Sequence, residues 1–169
     1  MTTIDERIIA APAAVCFRVA ADVERWPGIL PHYRWVRFHH KRAFGTGRVE
    51  MAAWRDFAGP LRYPTWWVSD MRVAEHEPAV YFTHVDGITR RMEVKWAFLP
   101  HETGTHVRIT HEWDGPPWPL IGATAWRSVI GPHFVSFIAA RTLAGVAREA
   151  ERHARTAASP PTDPRTADA

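Results

Sequence analysis

The sequence predicts an α+β domain in which an antiparallel sheet of about seven strands wraps around one long C-terminal helix. Successive segments in the middle of the chain alternate apolar and polar residues, as half-buried antiparallel strands do. Near the C-terminus, apolar residues recur at helical spacing instead. Because the strands follow one another without intervening helices, they favour a meander whose concave side one helix can cover. With 169 residues, the chain has the usual length of a single domain.

Two short helices are predicted after the first strand. Residues 3–10 form that strand, and residues 12–21 form the first helix. Asp22 stands where its side chain can cap a short helical turn over residues 23–26. The Pro-Gly pair at 27–28 is expected to end this turn.

The remaining strands are predicted from period-two alternation. Residues 34–41 form the first of them, although Trp35, Val36 and Phe38 do not alternate cleanly and leave its faces unassigned. The strands after it cover residues 48–56, 65–73, 80–86, 91–98 and 106–113. The last two form a hairpin. Its inner side carries Met92, Val94, Trp96 and Phe98 on one strand and Val107, Ile109, His111 and Trp113 on the other.

The long helix is expected to begin at Pro132, because proline suits the first turn of a helix. Residues 123–130 would form a separate lead-in turn. The last two turns, up to His153, are mostly polar. Residues 1–153 are therefore predicted to form the domain, and residues 154–169, which lack large apolar side chains, a disordered tail. The predicted apolar stripe comprises Phe134, Phe137, Ile138, Arg141, Leu143, Ala144 and Ala147.

The composition favours an apolar cavity. Nine Trp, eight Phe and three Tyr are more aromatic rings than one small core normally takes, and Trp is seldom fully buried. A large, partly solvated cavity is one way to place them. A Trp-rich core with some exposed rings is the alternative.

Charge and cysteine content argue against several other classes of protein. The net charge is +3, yet no run of basic residues suggests nucleic-acid binding. The single cysteine, Cys16, excludes an internal disulfide and fits a reducing compartment. Acidic residues stand where a signal peptide would need basic and then apolar ones, and no apolar run reaches the length of a membrane span. We therefore expect a cytoplasmic protein.

His111 is the first candidate catalytic residue, because it is the one titratable group within the cleanest apolar alternation. Burial would keep its imidazole neutral and able to accept a proton near neutral pH. Such a base can remove an acidic proton from a carbon between two carbonyls. The alternative is a core histidine hydrogen-bonded to backbone or to a hydroxyl such as that of Ser69.

Two further side chains can act on carbonyl oxygens. Arg55 shares one side of its strand with Val49 and Met51, and a guanidinium there can hold an enolate or carboxylate oxygen. Alternatively, Arg55 reaches solvent or pairs with Asp56. Tyr33 offers a phenol that polarises a carbonyl, or else forms a packed corner.

The aromatic residues define the expected ligand. Trp67, Trp96 and Trp113 lie on the predicted inner face, and flat indoles favour a planar or polyene-like, largely apolar ligand. His84 and His133 are placed near the cavity mouth. No metal or cofactor is expected, because one cysteine cannot build a structural zinc site and no phosphate-binding glycine loop is present.

The chain resembles the START-like, helix-grip superfamily (SRPBCC), and within it the polyketide cyclase/dehydrase group that includes aromatase/cyclases. The resemblance covers about residues 3–153. It rests on Ala11-Pro12 before the first helix, on residues 22–27 leading to Tyr33, on Trp67-Val68-Ser69, and on Met92 and Trp96 before Gly104-Thr105. It implies an apolar cavity between the sheet and the long helix, in which cyclase members fold, cyclise and dehydrate a poly-β-ketone chain.

The resemblance also implies roles for particular residues. Trp26, Tyr33, Trp67, Ser69 and Trp96 are similar to pocket residues of the aromatase/cyclases, and His111 is similar to a strand histidine that some of them use as an acid/base. One position departs from the family. Met71 stands where those enzymes place a functional arginine, and Arg72 is one residue out of phase, facing outward.

The leading hypothesis is therefore a cofactor-free cyclase, aromatase or dehydratase, with His111 as acid/base and Tyr33, Ser69 or Arg55 orienting carbonyl oxygens. An acyl carrier protein would deliver its substrate. The alternatives are a non-catalytic carrier of a lipid or quinone and an interaction protein that uses the outer face of the sheet. The oligomeric state is left open. The predicted substrate-binding residues are Trp26, Trp67, Met71, Trp96, Trp113, His84, His133, Phe134 and Phe137.

Overall fold

A computed structural model describes residues 1–56, 62–74, 76–115 and 131–158, with side chains from residue 135 onward in the last range. The strands are β1 (Thr2–Ile9), β2 (Tyr33–Lys41), β3 (Gly47–Asp56), β4 (Arg62–Ala74), β5 (Ala79–Gly87), β6 (Glu93–His101) and β7 (Gly104–Glu112). The helices are α1 (Ala13–Ala21), α2 (Trp26–Ile29) and α3 (Gly131–Ala158), with short 3-10 turns at Val23–Arg25 and Ala43–Gly45.

All seven strands form one antiparallel sheet in the order β1-β7-β6-β5-β4-β3-β2. Strands β2 to β7 are a meander, and β1 pairs with β7. In β7 every second side chain is buried, because the inner face meets the core while the outer face meets water. The predicted fold class, a seven-stranded antiparallel sheet with a long C-terminal helix, is confirmed.

Strand β2 carries two irregularities that explain its unclear sequence pattern. The pairing with β3 shifts register between Tyr33 and Trp35 and again between Phe38 and His40. Each bulge inserts one residue, and a shift of one residue moves all later side chains to the other face. Alternation along β2 is therefore interrupted twice, and a period-two test cannot assign its faces.

Two predictions about the segment after α1 were wrong. The side chain of Asp22 makes no capping hydrogen bond, and its backbone N–H donates to the carbonyl of Arg18 at 3.0 Å. Pro27 and Gly28 do not break the segment but lie inside α2. Proline fits there because the N–H groups of a first turn have no intrahelical acceptor. Helix α2 begins at Trp26, whose side chain is buried.

Helix α3 packs on the sheet and on the N-terminal helices, and it extends past His153 to Ala158. Gly145 allows close contact with the end of α2, since a Cβ there would come within 2.0 Å of Leu30 Cδ2. The predicted apolar stripe was partly wrong: Phe137 is only half-buried and Arg141 is exposed. Among the described side chains of the helix, the buried apolar ones are Val135, Ala139, Leu143, Val146, Ala147 and Ala150.

The predicted lead-in turn over residues 123–130 and most of the predicted tail lie outside the described residues. Within the described part of the chain, no helix combines the length and the hydropathy needed to span a membrane.

Candidate functional site

An apolar cavity of about 80 Å³ lies between the inner face of the sheet and α3. Strands β2 to β7 contribute to its wall, and four residues of α3 close it. Apart from two histidines, the described residues that line it carry no acidic or basic side chain. They are Trp26, Tyr33, Met51, Thr65, Trp67, Phe82, His84, Thr89, Met92, Val94, Trp96, Ile109, His111, Val135, Ile138, Ala139 and Thr142.

Six of the residues singled out from the sequence come together in this wall: Trp26, Tyr33, Trp67, His84, Trp96 and His111. Strand parity places most of them, because residues two apart on a strand point to the same face of the sheet. All six are less than a tenth exposed. The rings contact one another closely, with the centroid of Trp26 lying 5.2 Å from Tyr33 and 5.9 Å from Trp96.

Five predicted site residues lie elsewhere. Met71 and Ser69 are buried on the inner face of β4 but are covered by packing and do not reach the cavity. Trp113 lies just beyond β7, and its indole N–H donates to the carbonyl of Arg90 at 2.9 Å. Its backbone N–H donates to Met1 at 2.9 Å. These contacts fix Trp113 in the core at the end of β7, outside the cavity wall.

Arg55 and Phe137 also lie outside the wall. The guanidinium carbon of Arg55 is 5.9 Å from the centroid of Phe137, and that of Arg141 is 4.9 Å from the same ring. Phe137 is thus close to two cations and only half-buried, because α3 buries the face that carries Val135 and Ala139 instead. The side chains of His133 and Phe134 lie outside the described residues.

The imidazole of His111 lies on the inner face of β7 and is 7% exposed. Its Nδ1 is 3.4 Å from the hydroxyl of Thr3 on the paired strand β1. Among the described residues, the hydroxyl that contacts this ring is therefore that of Thr3 and not that of Ser69. Burial lowers the pKa of His111 to about 4, because a low-dielectric environment disfavours the charged imidazolium. The ring is neutral at physiological pH.

The imidazole of His84, on β5, contacts a hydroxyl and an aromatic ring. Its Nδ1 lies 2.6 Å from the hydroxyl of Thr89, and its ring stacks on Trp67 with an interplanar angle of 12°. Burial, and then the nearby His111, lower its pKa to about 3. The β5–β6 turn brings Thr89 into place, since Arg91 adopts a positive φ of 74° and donates its N–H to the carbonyl of His84.

A third buried histidine, His32, was not predicted from the sequence. Its Nε2 lies 3.0 Å from the hydroxyl of Thr142, which itself donates to the carbonyl of Ile138 at 2.8 Å. Since that hydroxyl proton is used, His32 donates from Nε2. Burial, and then the positive charges of Arg141 and Arg148, lower the pKa of His32 to about 4, although the carboxylate of Asp56 acts in the opposite direction.

Tyr33 faces the same region from β2. Burial raises the pKa of its phenol well above the usual range. The phenol therefore stays protonated and able to donate a hydrogen bond.

Other lining residues could have been found by parity alone. Met51, Thr65 and Phe82 share the inner faces of their strands with residues that were identified. Thr89 and Thr142 gave no such signal, because one lies in a turn and the other is a polar residue on an otherwise apolar helix face. Within the described ranges, no three His, Cys, Asp or Glu side chains lie close enough together to hold a metal ion.

A family model described as polyketide cyclase/dehydrase and lipid transport matches residues 9–131. A search of curated proteins found no match. Among solved structures, the fold is similar to the Zhui aromatase/cyclase from Streptomyces sp. R1128, with 19% identity, a TM-score of 0.77, and coverage of 95% of this chain and 99% of that one. It is also similar to the di-domain ARO/CYC BexL from the BE-7585A biosynthetic pathway, with 21% identity, a TM-score of 0.65, and coverage of 89% and 46%.

A START superfamily protein from Mycobacterium smegmatis is similar too, with 14% identity, a TM-score of 0.63, and coverage of 92% of this chain and 98% of that one. These similarities establish the START-like, helix-grip fold that the seven-stranded sheet and α3 build. The family model covers well over half of the chain. The chain therefore belongs to the polyketide cyclase/dehydrase and lipid transport family.

Proposed function

We propose that this protein is a cofactor-free cyclase/dehydratase that acts on a poly-β-ketone, with His111 as its acid/base. One observation carries the proposal: a neutral imidazole stands in the wall of an apolar cavity, with its Nδ1 beside the hydroxyl of Thr3. The contact at Nδ1 leaves Nε2 for a ligand. The family membership and the similar aromatase/cyclase folds support the same reading.

The chemistry needs only proton transfer. Nε2 of His111 removes a proton from a methylene between two carbonyls, and the enolate carbon attacks a second carbonyl to form the ring bond. The resulting alkoxide takes the proton back from the imidazolium. A second removal of an α-proton by His111, with that proton delivered to the hydroxyl, releases one water molecule and leaves a double bond. No electrons enter or leave the substrate.

The low pKa of His111 shapes this cycle. An imidazolium in the apolar cavity is unstable unless an anion lies beside it, so the protonated ring persists only while the enolate or alkoxide is present. Tyr33 complements it, because its phenol stays protonated and can donate a hydrogen bond to a carbonyl oxygen that gains charge. His84 supplies a second neutral imidazole on the same wall.

The cavity is too small to hold a poly-β-ketone without a change in its wall. A cavity of about 80 Å³ has room for only a few water molecules, at roughly 10–15 Å³ of such volume each, whereas ligand pockets usually measure about 300–1,000 Å³. The aromatic wall must therefore move when a poly-β-ketone enters. Since Trp26, Trp67 and Trp96 line the cavity, ligand entry should change the intrinsic tryptophan fluorescence. We infer that an acyl carrier protein delivers such a chain.

The test replaces His111 with glutamine, which keeps a polar side chain but cannot take up a proton. With a poly-β-ketone thioester as substrate, we expect His111→Gln to lose about 10²–10⁴-fold in product formation, while ligand affinity measured by tryptophan fluorescence stays unchanged. His106→Gln is the matched control, since His106 lies on the outer face of the same strand and contacts Glu6 at 3.5 Å. Equal product formation by wild type and His111→Gln would reject the proposal.

A second candidate function is a non-catalytic carrier of a lipid or quinone. It is favoured by the neutral character of the described cavity wall and by Met71, which is packed in the core where the enzymes of this family place an arginine. Extraction of the purified protein with organic solvent, followed by mass spectrometry, separates the two. A stoichiometric lipid or quinone supports the carrier, whereas an empty protein that converts the thioester supports the enzyme.

A further inference from the structure

A basic pocket lies on the surface beside the apolar cavity. Arg62 of β4, Arg141 and Arg148 of α3, Asp56 of β3 and the buried His32 line it, and its volume is about 280 Å³. Asp56 pairs with both Arg62, at 3.3 Å, and Arg141. Among the described residues, Arg148 has no carboxylate partner. With His32 neutral, three guanidinium groups face one carboxylate, so the pocket carries a net charge of +2.

A hydrogen bond joins the wall of this pocket to the wall of the cavity. His32 lines the basic pocket, Thr142 lines the cavity, and the two are joined at 3.0 Å. The hydroxyl of Thr142 donates to the carbonyl of Ile138, so this bond does not depend on the contact with His32. Moving His32 away from Thr142 breaks the hydrogen bond between the two side chains and frees the N–H of His32 to donate to a ligand group.

We propose that the basic pocket binds the oxyanion group, a carboxylate or a phosphate, of a ligand whose apolar body occupies the cavity. Guanidinium groups match both anions geometrically, and the cavity wall offers the apolar body no ion partner of its own. The inference rests on the cavity of the proposed function and adds to it an anionic end on the ligand. Arg148 and Arg141 supply the attraction, and His32 adds a donor at the boundary between the two spaces.

Equilibrium binding tests this with three probes that share one apolar chain: decanoate, decyl phosphate and decanol. Tryptophan fluorescence of the purified protein reports the affinity. We expect each anion to bind roughly five- to tenfold more tightly than decanol at low ionic strength, and this advantage to shrink as salt screens the exposed arginines. Whichever anion binds more tightly identifies the natural end group, and either result supports the site.

Variants that remove a positive or a negative charge from the pocket are expected to change anion affinity in opposite directions. Arg148→Gln and Arg141→Gln should each remove most of the anion's advantage and leave decanol affinity unchanged. Asp56→Asn should increase anion affinity, because it removes the carboxylate that competes for Arg62 and Arg141. Arg152→Gln, on the same helix but paired with Glu149 at 2.6 Å, is the matched control and should change neither affinity.

Two results would overturn the inference. Equal affinity for decanoate, decyl phosphate and decanol would show that no anion site exists, while leaving the cavity and the proposed function intact. A loss of anion affinity in Arg152→Gln as large as that in Arg148→Gln would show that only the general charge of α3 matters. The proposed function is tested independently of this site, by measuring the product formed by His111→Gln.

Discussion

Nδ1 of His84 lies 2.6 Å from the hydroxyl oxygen of Thr89, and both side chains line the cavity. The bond holds the imidazole nearly parallel to the indole of Trp67, at a centroid distance of 5.9 Å. Because Nδ1 is occupied, only Nε2 of His84 is left to meet a ligand. The β5–β6 turn thus sets the polar character of one side of the wall.

We expect Thr89→Val to destabilise the fold by about 1–3 kcal/mol, because it leaves Nδ1 of His84 buried without its partner. Thr89→Ser keeps the hydroxyl and should cost much less. Urea denaturation of the two variants measures the difference. If valine and serine at this position were equally stable, the hydrogen bond would contribute nothing to the fold.

Stability should fall as the pH decreases from about 6.5 towards 4. The folded protein holds His84 and His111 neutral, with pKa values of about 3 and about 4, whereas in the unfolded chain histidine takes up a proton near pH ~6.5. The unfolded state therefore binds more protons within this window. Each histidine then lowers the free energy of unfolding by up to about 1.4 kcal/mol per pH unit.

Urea midpoints measured across this pH window test the effect. His84→Gln and His111→Gln should each flatten the dependence by the share of one proton. His40→Gln, at an exposed position on β2, should leave it unchanged. A pH dependence that is the same in all three variants and the wild type would mean that neither buried imidazole resists protonation.

Ser69→Ala should leave turnover intact. Ser69 is fully buried between Val49 and His84 in the sheet register, and its hydroxyl has no hydrogen-bond partner among the described residues. Removing an unsatisfied buried hydroxyl should leave the stability unchanged or raise it, by at most about 1–3 kcal/mol.

Thr65→Val is the companion variant, since the hydroxyl of Thr65 also has no partner within the described ranges but belongs to a residue of the cavity wall. We expect Thr65→Val, unlike Ser69→Ala, to weaken binding of a polar ligand, as measured by tryptophan fluorescence. Loss of product formation in Ser69→Ala would instead restore the catalytic role that the family resemblance implies for Ser69.

The positions of His111, Trp67 and Trp96 followed from the sequence because no residue is inserted in β7, β4 or β6; the one register shift between β4 and β5 lies on β5. A period of two assigns faces reliably where no residue is inserted, and the burial of these three side chains agrees with it. On β2 the same test failed, because two bulges change the phase of the strand. For Arg55, Ser69 and Met71 parity was insufficient, since an inward side chain near a strand end or under close packing need not reach the cavity.

Helical spacing predicted the buried side chains of α3 less well than strand parity predicted those of the sheet. Phe137 and Arg141 satisfied a helical stripe, yet α3 buries Val135, Ala139 and Thr142. The rotation of a helix about its axis is set by the surface on which it packs, here β1, α1 and α2, and a wide apolar stripe allows several rotations. Thr142 and its partner His32 thus became part of the site only through packing.

The sequence by itself determined the order of the elements, the antiparallel sheet, the long terminal helix and the inward position of His111, because these depend on local periodicity. Tertiary structure decided which inward side chains reach the cavity and which polar groups meet. His32 and Thr142 are 110 residues apart and bond at 3.0 Å, and Thr3 and His111 are 108 residues apart and meet at 3.4 Å. No local pattern encodes such pairs, since they exist only once strand register and helix rotation are fixed.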